Sequence, residues 1–135
     1  MHEETQSMLL ELAALLDDLT PDRFDYSEWV GEDWQGDPDL SCGTVACAAG
    51  HATTLPSYRA RGLTLQRYGG PVVKVEGRTL NGTRAMAHVL GIADDDAAYL
   101  FMPSYYDANR HCSPPPNATA PEVAEHIRDW LNRQP

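Results

Sequence analysis

The sequence predicts a single, mainly helical α+β domain spanning residues 1–135, with about five helices and a small antiparallel β-hairpin near residues 63–80. Three observations favour this class. Apolar residues recur at helical spacing near both ends of the chain, and glycine-containing turns interrupt the only strand-like stretch. The length of 135 residues suits one domain with its own core.

The first helix is expected over residues 4–19. Apolar side chains recur there every three or four residues and form one stripe: Met8, Leu9, Leu12, Leu15, Leu16 and Leu19. Thr20-Pro21 ends it. A second helix is expected over residues 44–53, where alanines and Gly50 predict a tightly packed element with Thr44 as its N-cap.

The strand-like region follows. Residues 63–68 and 72–75 flank the turn Gly69-Gly70-Pro71, and Gly77 allows a second turn before residues 78–80. Pro71 has no N–H to donate to a neighbouring strand, so it predicts an edge strand.

Three further helices complete the prediction. One covers residues 81–90 and ends at Gly91, and the next begins at a capping Asp94 and includes Phe101. The last covers residues 121–133. Between them, residues 102–120 predict a long irregular loop, and loops of that length are often functional.

Acidic residues are concentrated in the first part of the chain, which has a formal net charge of −10. Residues 1–40 hold twelve acids and one arginine, residues 41–93 hold one acid and six basic residues, and residues 94–135 hold seven acids and three arginines. This balance argues against direct nucleic-acid binding, because phosphates are bound by Lys and Arg. It favours a protein partner with a basic surface.

Other classes of protein are disfavoured by composition. No signal peptide is evident at the N-terminus, no apolar run reaches membrane-spanning length, and three cysteines do not suit a disulfide framework. We therefore expect a cytoplasmic protein with reduced thiols, no membrane association and no cofactor.

The segment from Cys42 to Ala52 is the most distinctive motif. It resembles a Cys-Gly-Thr-x-x-Cys-x-x-Gly-x-Ala signature of small phage and bacterial proteins of unknown function. The resemblance extends to a Phe-Asp-x-x-x-Trp segment at residues 24–29 and to Leu90-Gly91 followed by an Ala-x-x-Leu-Phe segment at residues 97–101. It implies a protein encoded by a phage or mobile element, and no particular activity.

Two chemical interpretations of this motif stay open. A thiolate at a helix N-terminus is stabilised by free amides, so Cys42 or Cys47, with His51 as base, would serve a small cysteine-dependent hydrolase or transferase. Alternatively, Cys42, Cys47, His51 and Cys112 would supply four ligands for a structural zinc in a binding module. The spacing matches no standard zinc motif, and no carboxylate is placed to orient the histidine.

The third interpretation, which we favour, is that the motif has a packing role. Cysteine, alanine and glycine pack closely, so Cys42, Cys47 and Gly50 would let neighbouring elements approach one another. The function expected is then that of a non-enzymatic, acidic interaction protein that modulates a host or defence protein. The candidate binding surface combines acidic and aromatic residues of two loops: Asp33, Trp34, Asp37, Asp39, Tyr105 and Tyr106.

Overall fold

The computed structural model describes residues 1–32, 34–40, 44–67, 70–105 and 112–134. Within them the chain forms six α-helices and one three-stranded antiparallel sheet, which confirms the predicted α+β class. The helices are α1 (Glu3–Asp17), α2 (Ala48–Ala52), α3 (Pro56–Arg59), α4 (Gly82–Leu90), α5 (Asp94–Phe101) and α6 (Ala120–Asn132). The strands are β1 (Thr64–Gln66), β2 (Gly70–Val75) and β3 (Arg78–Asn81).

The first and last helices form the most extensive pairing of elements. Met8, Leu9, Leu12 and Leu16 of the predicted stripe are buried, as are Val123 and Ile127 of α6, whereas Leu15 and Leu19 are half-buried. Each fully buried aliphatic side chain contributes about 1.5–3 kcal/mol relative to an exposed one. A capping box starts α6: the Thr119 hydroxyl accepts from the Glu122 amide at 3.2 Å, and the Glu122 carboxylate accepts from the Thr119 amide at 2.9 Å.

The sheet has the order β1-β2-β3. The central strand is β2, so the prediction that Pro71 marks an edge strand is wrong for the strand as a whole. The two pairings are staggered, however, because β1 opposes residues 70–72 and β3 opposes residues 72–75. Pro71 therefore lies where β2 has one neighbour, and its missing N–H removes no bond to β3.

Two predicted helix starts need correction. The helix expected from residue 44 begins only at Ala48, with Cys47 rather than Thr44 at the N-cap. Residues before it are extended because their backbone groups bond to an earlier segment, as described below. Asp94 is the first residue of α5, and Ala93 occupies the N-cap position. Its carboxylate still lies in the first turn, where the helix dipole favours an acid.

One large buried cluster unites α1, α2, β2, α4, α5 and α6. A second, smaller cluster consists of Trp34, Leu40 and Ala46, with Val30 and Leu65 packed against it. None of the helices in the described ranges combines the length and apolar character required to cross a bilayer.

Candidate functional site

The cysteine motif is held by backbone pairing to the segment that precedes the acidic loop. Phe24 and Ala46 form an isolated parallel bridge, with the Asp25 amide donating to the Ala46 carbonyl at 3.2 Å. Further along, the Cys47 amide donates to the Glu28 carbonyl at 2.7 Å. The Val45 and Ala46 carbonyls, which a helix starting at residue 44 would need as acceptors, accept instead from the Gly31 and Asp25 amides, so that stretch stays extended.

Gly50 fits where no other residue does. A Cβ added at Gly50 would overlap the Trp29 carbonyl oxygen and approach the Ala46 Cβ to 2.8 Å. The Trp29 ring lies in turn against Gly70, where an added Cβ would come within 2.5 Å of the indole. The motif glycine and the sheet glycine thus let the Trp29 backbone and its ring pack against α2 and β2.

Cys47 is a buried thiol at the N-cap of α2. Its residue is 1% exposed, and its Sγ accepts a hydrogen bond from the Gly50 amide at 3.4 Å. Burial outweighs that bond and raises the pKa of the Cys47 thiol to about 11. The cavity beside it, also lined by Tyr26, Phe101 and Met102, is about 180 Å³, below the size of ordinary ligand pockets. Helix position alone therefore does not make this cysteine a nucleophile.

His51 is engaged away from Cys47. Its ring is buried, and Nε2 lies 2.8 Å from the Arg23 carbonyl oxygen, to which it donates. Burial lowers the pKa of His51, so the ring is held neutral with its proton on Nε2. Within the described residues no hydrogen bond joins the His51 imidazole to the Cys47 thiol, so the structure does not pair these two side chains.

The described part of the chain contains no cluster of ligands that would support the zinc hypothesis. Cys47 and Cys112 are free thiols, the first buried and the second exposed. No group of three His, Cys, Asp or Glu residues is placed to hold a metal ion within the ranges that the structure describes. Cys42, which both chemical interpretations include, lies outside the described residues.

Three arginines hold the acidic loop by its carbonyl oxygens. Arg23 donates to the Leu40 carbonyl at 2.6 Å, and Arg67 donates to the Glu32 carbonyl at 3.0 Å. Arg59 donates to the Pro38 carbonyl at 2.5 Å and to the Asp39 carboxylate at 3.0 Å. Arg59 and Arg67 thus link the basic middle part of the chain to the acidic loop, mainly through carbonyl oxygens and through the Asp39 carboxylate.

The described residues of the expected binding surface differ in burial and in hydrogen-bond partners. Trp34 is 6% exposed and its Nε1 donates to the Asp37 carbonyl at 2.8 Å. Asp39 is exposed and paired with Arg59. Tyr105 is half-buried and its hydroxyl donates to Asp95 at 3.3 Å. Asp33 and Tyr106 lie outside the described residues. Trp34 therefore fills the smaller core cluster and holds the loop closed.

A different acidic surface is formed by α1 and α6. The two helices run antiparallel, because Leu19, just after α1, lines a cavity with Ala120 at the start of α6, and Gln6 near the start of α1 lines another with Asn132 at the end of α6. The helices and their C-terminal flanking residues carry eight exposed carboxylates against two arginines, Arg128 and Arg133. These acids, which define the acidic helical face, are Glu3, Glu4, Glu11, Asp17, Asp18, Glu122, Glu125 and Asp129.

Leu10 lies within the acidic helical face and is 51% exposed. With Leu131 it lines a cavity of about 280 Å³ between α1 and α6, whose other walls include Gln6 and Arg128. Leu10 is not among the predicted binding residues, although its position in the sequence carries a signal. It falls outside the buried stripe of Leu9, Leu12 and Leu16, and an apolar residue outside such a stripe is available for binding.

Comparison of the chain with protein-family models, with curated proteins and with solved structures found no match in any of the three. The resemblance of the cysteine motif to phage and bacterial proteins therefore stays an expectation from sequence.

The burial of Cys47 predicts a thiol that does not react in the folded protein. In the variant Cys42→Ser/Cys112→Ser, Cys47 is the only thiol, and iodoacetamide at pH 7 should modify it at least about a hundredfold more slowly than a small free thiol. Mass spectrometry measures the rate. Unfolding in urea should restore ordinary reactivity, and a native rate equal to the unfolded rate would contradict the structure.

The buried histidines predict a loss of stability in mild acid. Burial lowers the pKa of His51 and of His126, whose Nε2 donates to the Tyr99 carbonyl at 2.8 Å. Below the ordinary value of 6.5 the unfolded chain takes up protons that the folded chain does not. The free energy of unfolding should therefore fall with pH from about 6.5 downwards, by at most about 1.4 kcal/mol per pH unit for each histidine.

Urea denaturation at several pH values measures this slope. His51→Gln keeps a side-chain donor for the Arg23 carbonyl and does not titrate, so the slope should become shallower. His88→Gln, which makes the same substitution at an exposed imidazole, is the matched control for the change of residue. An unchanged slope in His51→Gln would show that His51 is not held neutral by the fold.

Proposed function

We propose that the protein is a non-enzymatic binding domain that docks a basic protein surface against its acidic helical face. The observation that carries the proposal is the coincidence of exposed carboxylates with the exposed Leu10 on the α1–α6 pair. An apolar centre with a charged rim is the usual anatomy of a protein interface.

The charge balance supports this face over the acidic loop as the docking surface. Loop carbonyls and Asp39 are already engaged by Arg23, Arg59 and Arg67. On the helices, Glu4 pairs with Arg61 and Asp17 with Arg128 at the edges of the face. Exposed pairs of this kind are weak, about 0–1 kcal/mol each, so a partner's basic groups can replace them.

The occupant that fits is a basic amphipathic segment, such as a helix with Lys or Arg beside an apolar residue. Its apolar side chain would enter the cavity beside Leu10 and Leu131. Its cations would meet Glu11 of α1 and Asp18, the C-cap residue two helical turns further along. The charges would mainly speed association and select the partner, and the apolar contact would slow its release. A cytoplasmic phage or bacterial protein that modulates a host or defence protein through this face is consistent with the motif resemblance.

The environment of the cysteine motif supports a non-enzymatic role. Cys47 is buried with a raised pKa, and no hydrogen bond joins its thiol to the His51 imidazole within the described residues, so the pair lacks the activated thiol that catalysis needs. We propose instead that the motif holds the fold together while the helical face binds.

Removing two charges from the acidic helical face should weaken partner binding. The test is capture of partners from a host lysate, with cross-links mapped to α1 or α6 and affinity then measured on the purified partner. Raising the salt concentration should weaken binding, because screening acts on exposed charges. Glu11→Gln/Asp18→Asn should weaken it at least about fivefold, and Leu10→Ser should increase the dissociation rate.

The matched control is Glu28→Gln/Glu32→Gln, which removes the same charge from exposed sites outside the face. It should bind nearly as the unmodified protein does. Binding that is insensitive to salt, or equal losses in the two double variants, would contradict docking at the acidic helical face.

A further inference from the structure

A groove of about 340 Å³ lies between the β2–β3 turn, β3 and α4, away from the acidic helical face. This volume is at the lower end of the range for small-molecule sites, about 300–1,000 Å³. Apolar residues line part of it, each buried or half-buried: Val75, Leu80, Ala87 and Ile92. The groove therefore has room for a small ligand and exposes both polar and apolar surface to it.

The remaining groove residues carry charges of both signs. Arg78, Arg84 and His88 supply basic groups, and Glu76 and Asp94 supply carboxylates. Arg84 and His88 are four residues apart on α4, so they share one side of the helix. Since all five side chains are exposed, a ligand can reach them without any change in the fold.

These charges do not neutralise one another. Five arginines elsewhere donate to a carbonyl or carboxylate: Arg23, Arg59, Arg61, Arg67 and Arg128. Within the described part of the chain, Arg78 and Arg84 have no such partner, and neither carboxylate of the groove lies within ion-pair distance of them. The groove thus presents separate cationic and anionic groups beside one apolar surface.

Glu76 occupies a position where its backbone is unfavourable. Val75 opposes Arg78, so Glu76 and Gly77 form a two-residue hairpin loop with φ of 50° and 79°. Loops with two positive φ values favour Asn-Gly or Gly-Gly, and glutamate is a poor first residue. A carboxylate is therefore present at the groove in spite of the turn's own preference.

We propose that this groove binds a small zwitterion with an apolar side chain, which is the chemistry of a free aliphatic α-amino acid. The ligand carboxylate would be bound by Arg78 and Arg84, whose planar guanidinium groups suit it. The ammonium group would meet Glu76 or Asp94, and the side chain would cover Leu80 and Ile92. A ligand with only a negative charge would be repelled by Glu76 and Asp94, and a ligand with only a positive charge would be repelled by Arg78 and Arg84.

The test is a titration of the isotope-labelled full chain followed by amide NMR shifts. L-Leucine is compared with 4-methylpentanoate, which lacks the ammonium group, and with 3-methylbutylamine, which lacks the carboxylate. Leucine should shift amides of the β2–β3 turn and α4, and each comparator should bind at least about tenfold more weakly. Equal binding of either comparator, or no groove shifts with leucine at tens of millimolar, would overturn the proposal.

Variants give an independent readout. Arg84→Gln and Glu76→Gln should each weaken leucine binding about tenfold, because each removes one of the two charge contacts. Arg133→Gln, at an exposed arginine after α6, is the matched control and should bind leucine normally. If all three variants bind leucine alike, the charges of the groove do not recognise it. None of these changes alters the acidic helical face at Glu11 or Asp18, so the two proposals can fail separately.

Discussion

The close approach of the Trp29 backbone to Gly50 is the constraint on which the arrangement of the molecule depends. It fixes where the segment of residues 24–31 crosses α2 and allows the Trp29 ring to lie on Gly70 of β2. The same crossing aligns the backbone bonds from Asp25 to Ala46 and from Cys47 to Glu28. One glycine without room for a Cβ therefore links the N-terminal segment, the cysteine motif and the sheet.

The chemistry of the motif follows from that packing. With Trp29 and its neighbours over α2, Cys47 and His51 are removed from water, which raises the pKa of the thiol and lowers the pKa of the imidazole. Both shifts favour the neutral forms of these two side chains. Polar groups suited to recognition lie elsewhere, on the outer side of α1 and α6 and around the groove between β3 and α4.

Local sequence patterns correctly predicted the features that depend on neighbouring residues, such as the position of a helix and its end. The leucine spacing identified α1, and Gly91 identified the end of α4, where it adopts φ of 70°. The sequence did not reveal that residues 44–47 are extended, because their partners lie some twenty residues earlier. It identified Cys47 and His51 as the unusual residues and favoured a packing role for Cys47, but it did not show which segment covers them. The hydrogen bond from Arg67 to the Glu32 carbonyl oxygen spans 35 positions, so the sequence did not reveal that the arginines of the middle part hold the acidic loop.

The most direct test of this account is the stability of Gly50→Ala, measured by urea denaturation. Alanine is the better helix former by about 1 kcal/mol, so helix propensity alone would raise stability. Overlap of the new Cβ with the Trp29 carbonyl should instead destabilise the fold by at least about 2 kcal/mol. Gly36→Ala, where an added Cβ meets nothing within 4 Å, should cost only the strain of its positive φ, about 1 kcal/mol. A Gly50→Ala protein as stable as the original would contradict the central role of this contact.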